Sequence, residues 1–241
     1  MSSQQARDRN DKLGRIDTPA AIGRPGHVGR LEVLPERMNE SLVLCRLLEN
    51  VFLAIEAEAT YLSALDQAIG DGDHGSNMLR GFIVLRQASY IIPSLDFSDA
   101  CRLIGSTLLM NIGGASGPLY GSLFIAFGNA PGQYPATTEA AAAMLRLGVE
   151  AVKSRGRSDV GAKTMLDVLI PLVLALEADK LDSLESVCAL VRGAADDTRH
   201  IIATKGRAAY LGTRSLGHVD PGAASAAIIV TSICQTLMEK I

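Results

Sequence analysis

Apolar residues recurring at three- and four-residue steps, in one segment after another, restrict the folds open to this chain more than any other feature. Leu42, Cys45, Leu48, Val51, Phe52, Ile55 and Ala59 form one such stripe, which runs out near Leu65. That spacing lines side chains along one face of an α-helix, ready to be buried against a neighbour. The same pattern predicts helices over about Ser76–Tyr90, Ser98–Met110, Gly117–Phe127, Thr138–Ser154, Thr164–Glu177, Asp182–Ile202 and Ala223–Lys240. Ser98 and Thr138 are the expected N-caps of theirs. No stretch alternates convincingly at period two, and no unit of about 20–50 residues repeats. The fold class that follows is all-α, with about eight amphipathic helices of roughly three to five turns each.

Composition agrees. With 48% hydrophobic residues in 241, the chain is large enough for a well-filled core. Charged residues make up 20% and the net charge is −3, so no basic surface advertises nucleic acid or an anionic membrane. Aromatic content of 4% with no Trp also argues against platforms for stacked bases. No uninterrupted apolar run reaches the roughly 18 residues of a membrane span, and the N-terminus shows no apolar targeting stretch. Cys45, Cys101, Cys188 and Cys234 stand singly in apolar surroundings, without the close spacing of a zinc or redox pair. A reducing, cytoplasmic setting is expected. The polar stretch from Met1 to about Glu36 reads as a flexible extension, or as a segment that orders only on a partner. Residues 1–38 are therefore assigned to that extension and 39–241 to a single domain.

The connections between helices carry the chemistry. The first runs Asp66-Gln67-Ala68-Ile69-Gly70-Asp71-Gly72-Asp73-His74-Gly75-Ser76-Asn77. Three carboxylates broken by glycines converge where one helix ends and the next begins. They repel one another unless a cation sits among them, and an all-oxygen set favours a hard ion such as Mg²⁺. The plainer alternative is an exposed acidic turn that caps the following helix. Two pattern matches here mislead. Gly70-x-Gly72-x-x-Gly75 fits a dinucleotide fingerprint, but it follows a helix instead of a strand and carries two Asp where a pyrophosphate would lie. Asp71-x-Asp73 opens like a calcium loop, yet Ser76 and Phe82 stand where the turn Gly and the bidentate Glu belong.

A second connection, Asn111-Ile112-Gly113-Gly114-Ala115-Ser116-Gly117-Pro118, feeds directly into a helix. Its bare backbone N–H groups suit a phosphate, although Gly and Ala serve tight helix packing equally well. The third includes Lys205-Gly206-Arg207 and ends in Gly217-His218-Val219-Asp220-Pro221-Gly222. Arg207 is a candidate phosphate clamp, while Asp220-Pro221-Gly222 is a turn signature ahead of the last helix. A fourth runs from Ser154-Arg155-Gly156 to Gly161-Ala162-Lys163-Thr164-Met165-Leu166-Asp167. His27, His200 and His218 read as ordinary surface or capping histidines.

Taken together, LDQAIGDGDHGSNM (Leu65–Met78), GGASGPLYG (Gly113–Gly121), GAKTMLD (Gly161–Asp167) and GRAAYLGTRSLGHVDPG (Gly206–Gly222) resemble the nucleotide-binding L subunit, or L-type domain, of dihydroxyacetone kinases. The resemblance extends from about Asn39 to the C-terminus. It implies a barrel of eight antiparallel helices with the nucleotide-metal site in interhelical loops at one end. It implies that Asp66, Asp71 and Asp73 hold two Mg²⁺ ions bridging the phosphates of ADP or ATP. His74, Gly75, Ser76 and Asn77 should line the nucleotide, and Ala115 and Ser116 should meet its phosphates. Gly156, Met165, Arg207 and the Asp220-Pro221-Gly222 turn should complete the pocket. One position departs from the family pattern: Ala162 stands where an Asp usually precedes the Lys.

The resemblance further implies phosphoryl transfer to a small keto-sugar, dihydroxyacetone or a longer ketose such as erythrulose, held covalently on a separate K subunit. Asp66, Asp71, Asp73 and Arg207 would then be the catalytic set, since this chemistry asks for positioning and charge neutralisation. Eight helices leave no room for a K domain in 241 residues, so the chain is expected to be half an enzyme, with a K subunit as partner. A phosphohistidine protein is the donor if ADP stays bound, ATP if the nucleotide exchanges; a homodimer is also compatible. The competing expectation is a binding module whose ADP state regulates a partner protein.

Overall fold

A computed structural model describes the chain over residues 40–130 and 134–239. The inferred extension over residues 1–38 lies outside the described residues. The first stripe becomes α1 (Glu40–Ile69), which buries Val43, Leu47, Leu48, Val51, Phe52, Ile55 and Leu62 on one side. It is followed by α2 (His74–Ala88), α3 (Phe97–Asn111), α4 (Ser116–Gly128), α5 (Thr138–Gly156), α6 (Leu166–Glu177), α7 (Leu184–Asp197) and α8 (Pro221–Met238). Among the described residues there is no strand. Each helix packs against the next, and α8 packs back on α1. Over the described residues the result is a closed ring, an all-α barrel of eight α-helices, as the periodicity and the resemblance led us to expect.

The caps sit slightly earlier than the sequence suggested. Asp96, not Ser98, caps α3 by accepting from the Asp99 N–H at 2.7 Å, and Thr137, not Thr138, caps α5 through the Ala140 N–H at 3.2 Å. In each case the residue in extended backbone just before the helix can turn its oxygen back on the first turn. The helix expected over Asp182–Ile202 stops at Asp197 and tightens into a 3₁₀ turn, Thr198–His200. Two further 3₁₀ segments, Ser89–Ser94 and Arg207–Ser215, occupy stretches outside or at the end of the expected helices.

The innermost elements are α6 and α8. In α6, Leu166 to Ile170, Leu172, Val173 and Ala175 are all buried, each large side chain contributing roughly 1.5–3 kcal/mol. The sequence holds no uninterrupted apolar run of membrane length, and α8 does not change that. Its 18 residues have a mean hydropathy of 1.4 and could cross a membrane by length and composition alone. Ser225, Thr231, Ser232 and Thr236 break up its apolar run in the sequence. They are buried in the barrel, and more than half of the helix faces the interior, as suits a core helix packed through small residues. The thiols behave as the sequence suggested. Cys101, Cys188 and Cys234 are buried and free, and burial pushes Cys101 and Cys234 up to about 12.

Candidate functional site

In an up-and-down ring, alternate connections fall at the same end. Here the α1–α2, α3–α4, α5–α6 and α7–α8 connections line one cavity of about 450 Å³. They are the four segments singled out in the sequence.

Asp66 lies buried on the last turn of α1. Its Oδ2 accepts from the Asp73 N–H at 2.8 Å and the His74 N–H at 3.1 Å. It thereby caps α2, whose positional cap Asp73 makes no side-chain bond of that kind. Gly70 is required by space, since a Cβ there would collide with the Asp66 carboxylate. Gly72 is required by conformation, with φ at 78°. The turn brings carboxylate oxygens of Asp66, Asp71 and Asp73 within 4.8 Å of one another. The two readings of the acidic turn therefore coexist: one Asp66 oxygen caps a helix, and the cluster as a whole is shaped for a cation. Oxygen-only donors in this number fit a hard ion, or two ions sharing a carboxylate. A guanidinium already stands at its edge, with Arg207 paired to Asp71 Oδ2 at 2.8 Å.

His74, the first residue of α2, is buried and hydrogen-bonded on both ring nitrogens. Nδ1 lies 3.1 Å from Ser116 Oγ and Nε2 lies 3.0 Å from Ser225 Oγ. Ser225 donates to the Gly222 carbonyl at 3.0 Å, as a helical serine can, and lies 2.8 Å from the Tyr120 hydroxyl. With its own proton committed, Ser225 Oγ accepts from Tyr120 and from His74 Nε2–H, which leaves Nδ1 to accept from Ser116. Burial lowers the pKa of His74, against the upward pull of Asp66 and Asp73, so the neutral ring suits this arrangement. The chain links α2, α4 and α8 and fixes Ser116 at the N-terminus of α4, beside Gly113, Gly114 and Ala115 on the cavity wall.

The α5–α6 connection is held from behind. The Asp167 carboxylate accepts from the Gly161 N–H at 2.5 Å and the Thr164 N–H at 2.6 Å. Lys163 is buried, and its Nζ donates to the carbonyls of Thr198, Ile201 and His218. Burial lowers its pKa. Ala162 is itself buried, and the loop amides that an Asp there might orient are served by Asp167. Asp220 caps α8 through the Ala223 N–H at 2.7 Å, and burial pushes its carboxyl up to about 7.

Of the residues marked in the sequence, Asp66, Asp71, Asp73, His74, Asn77, Ala115, Ser116, Gly156, Met165, Arg207, Asp220, Pro221 and Gly222 all line the cavity. Gly75 and Ser76 do not. Gly75 packs where a Cβ would strike the Ala59 carbonyl of α1, and the Ser76 hydroxyl turns outward to the Asp73 carbonyl at 2.9 Å. Helical rotation sends these two positions away from the face that His74 and Asn77 share. The sequence reading missed Tyr120 and Ser225. A hydroxyl among the small residues of the first turn and a half of α8 was the available signal for Ser225. It also missed Arg155 and Lys205 on the cavity wall, which lie within motifs already quoted.

Fold and site define an all-α barrel domain with an acidic, glycine-lined ligand cavity at one end. The chain belongs to the DAK2 domain family, matched over residues 68–235, that of the L-type subunits of dihydroxyacetone kinases. It is 41% identical over 182 residues to the ADP-binding subunit of PEP-dependent dihydroxyacetone kinase 1 from Listeria innocua, covering 76% of this chain and 89% of that one. It is 42% identical over 175 residues to the ADP-binding subunit of the PEP-dependent dihydroxyacetone kinase of Escherichia coli K12, covering 70% and 83%. The dihydroxyacetone kinase of C. freundii, solved in complex with AMP-PNP and Mg²⁺, superposes with a TM-score of 0.65 at 25% identity. That match covers 92% of this chain and 38% of the C. freundii protein.

Proposed function

We propose that this chain is the ADP/ATP- and Mg²⁺-binding subunit of a cytoplasmic kinase that phosphorylates a small keto-sugar, dihydroxyacetone or a related ketose, held on a separate K subunit. One observation carries the reading: the three carboxylates, the N-terminus of α4 and Arg207 surround a single cavity. In this reading Asp66, Asp71 and Asp73 would hold two Mg²⁺ ions, which would supply charge neutralisation to the phosphates. Ser116 and the amides beside it bind the polyphosphate. Arg207 offsets charge at the transferred group. Met165, Gly156 and the Asp220-Pro221-Gly222 turn enclose the rest of the nucleotide. The bacterial relatives are named as ADP-binding subunits of PEP-dependent kinases, which supports a nucleotide that stays bound; a phosphohistidine protein would then recharge it.

Denaturing the purified protein and quantifying what it releases tests this. Near-stoichiometric ADP with about two Mg²⁺ per chain is expected. A protein that releases neither, and that Mg-ATP fails to stabilise thermally even with its K partner present, would overturn the reading.

A further inference from the structure

Arg207 and Asp71 are both assigned above to ligand binding, yet they bind each other. The guanidinium Nη2 lies 2.8 Å from Asp71 Oδ2, with Arg207 65% and Asp71 35% exposed. A divalent cation and the guanidinium compete for that carboxylate. A cation arriving alone must displace Arg207 or accept its positive charge a few ångströms away. A polyphosphate arriving alone faces three carboxylates. When both arrive together the conflict disappears, because Asp71 turns to the metal and Arg207 to a phosphate oxygen.

From this exchange we infer that Arg207 is a specificity-determining residue that makes the site select a metal–polyphosphate complex over either component by itself. The inference rests on the proposed nucleotide site and adds the order in which its charges pair. The exposed setting suits the exchange, since solvated ion pairs are worth little and are readily given up. Gly206, with φ 65° and ψ −166° and open space around its α-carbon, places Arg207 at the start of its 3₁₀ segment, outside the packed helices. Removing the side chain should therefore have opposite effects on two ligands. A residue that merely supported the loop would weaken both.

The test uses full-length protein stripped of metal and nucleotide. Mn²⁺ binding is followed by loss of the free-ion paramagnetic resonance signal, and Mg-ADP binding by calorimetry. Arg207→Ala should bind Mn²⁺ alone about two- to five-fold more tightly than wild type and Mg-ADP at least about ten-fold more weakly. Arg207→Lys keeps the charge, so its Mn²⁺ affinity should stay near wild type. If Arg207→Ala binds Mn²⁺ no more tightly while wild type binds Mg-ADP, the inference falls and the proposed function stands. If wild type binds neither Mn²⁺ nor Mg-ADP, both fall.

Discussion

Lys163 Nζ donates to the His218 carbonyl at 2.5 Å, and so ties the α5–α6 connection to the α7–α8 connection from beneath the cavity. Two more carbonyls, of Thr198 and Ile201, complete its surroundings at 2.7 and 3.3 Å. The lysine of this motif thus spends its ammonium on the scaffold. Replacing it with Met removes the donor these three carbonyls share, although Thr198 O keeps the Ile201 N–H, and we expect a loss of about 2 kcal/mol in urea unfolding. Ligand affinity should fall with it, because both loops lose their brace. A change below about 1 kcal/mol would mean that the carbonyls find other donors.

Asp66 and Asp71 should separate stability from binding. Asp66→Ala removes the acceptor for two N–H groups at the start of α2, which should cost about 1–2 kcal/mol of fold stability. Asp71→Ala removes only a solvated pair with Arg207 and should change stability by less than about 1 kcal/mol. Both should abolish Mg²⁺-dependent nucleotide binding. Equal stabilities for the two variants in urea would refute the capping role of Asp66.

Ser225 should matter more than Tyr120, although the two side chains touch. Tyr120→Phe removes one donor from a serine that keeps other partners, at about 1 kcal/mol. Ser225→Ala strands the buried Tyr120 hydroxyl and His74 Nε2 together, at roughly 2–3 kcal/mol. Chemical denaturation of both variants checks the order, and the reverse order would sink the hydrogen-bond chain described above.

Asp220 should make the fold less stable as pH rises through neutrality. Its carboxyl titrates near 7 in the fold against an ordinary 3.8, so the folded protein holds the proton more tightly. Below about pH 4 both states are protonated and nothing is lost. Between about 4 and 7 the unfolded chain ionises first, and stability declines until the folded carboxyl ionises too. Asn at 220 can still cap α8 but cannot ionise. Relative to Asp220→Asn, wild type should lose on the order of 2–3 kcal/mol between pH 5 and pH 8. A constant difference across that range would exclude the effect.

Much of this architecture is legible in the sequence. Periodicity placed all eight helices to within a few residues, because each must bury one face whatever its partner. The Asp66–Asp73 turn and the Gly113–Gly117 run announced themselves because clustered charge and bare backbone serve few purposes inside a fold. Helix ends were read less well: Asp96 and Thr137 won the caps on local backbone direction, which composition does not encode.

The sequence by itself determined the class of fold and most of the cavity's residues, since period, glycine and carboxylate spacing are local properties of the chain. Tertiary structure alone decided what those residues face. It committed the Lys163 ammonium to three backbone carbonyls, gave Asp66 a second duty at α2, set Ser225 against His74 from 151 positions away, and laid Arg207 on Asp71. These are relations across the ring, fixed by how eight helices close on one another, and a linear pattern carries no distance between its distant parts.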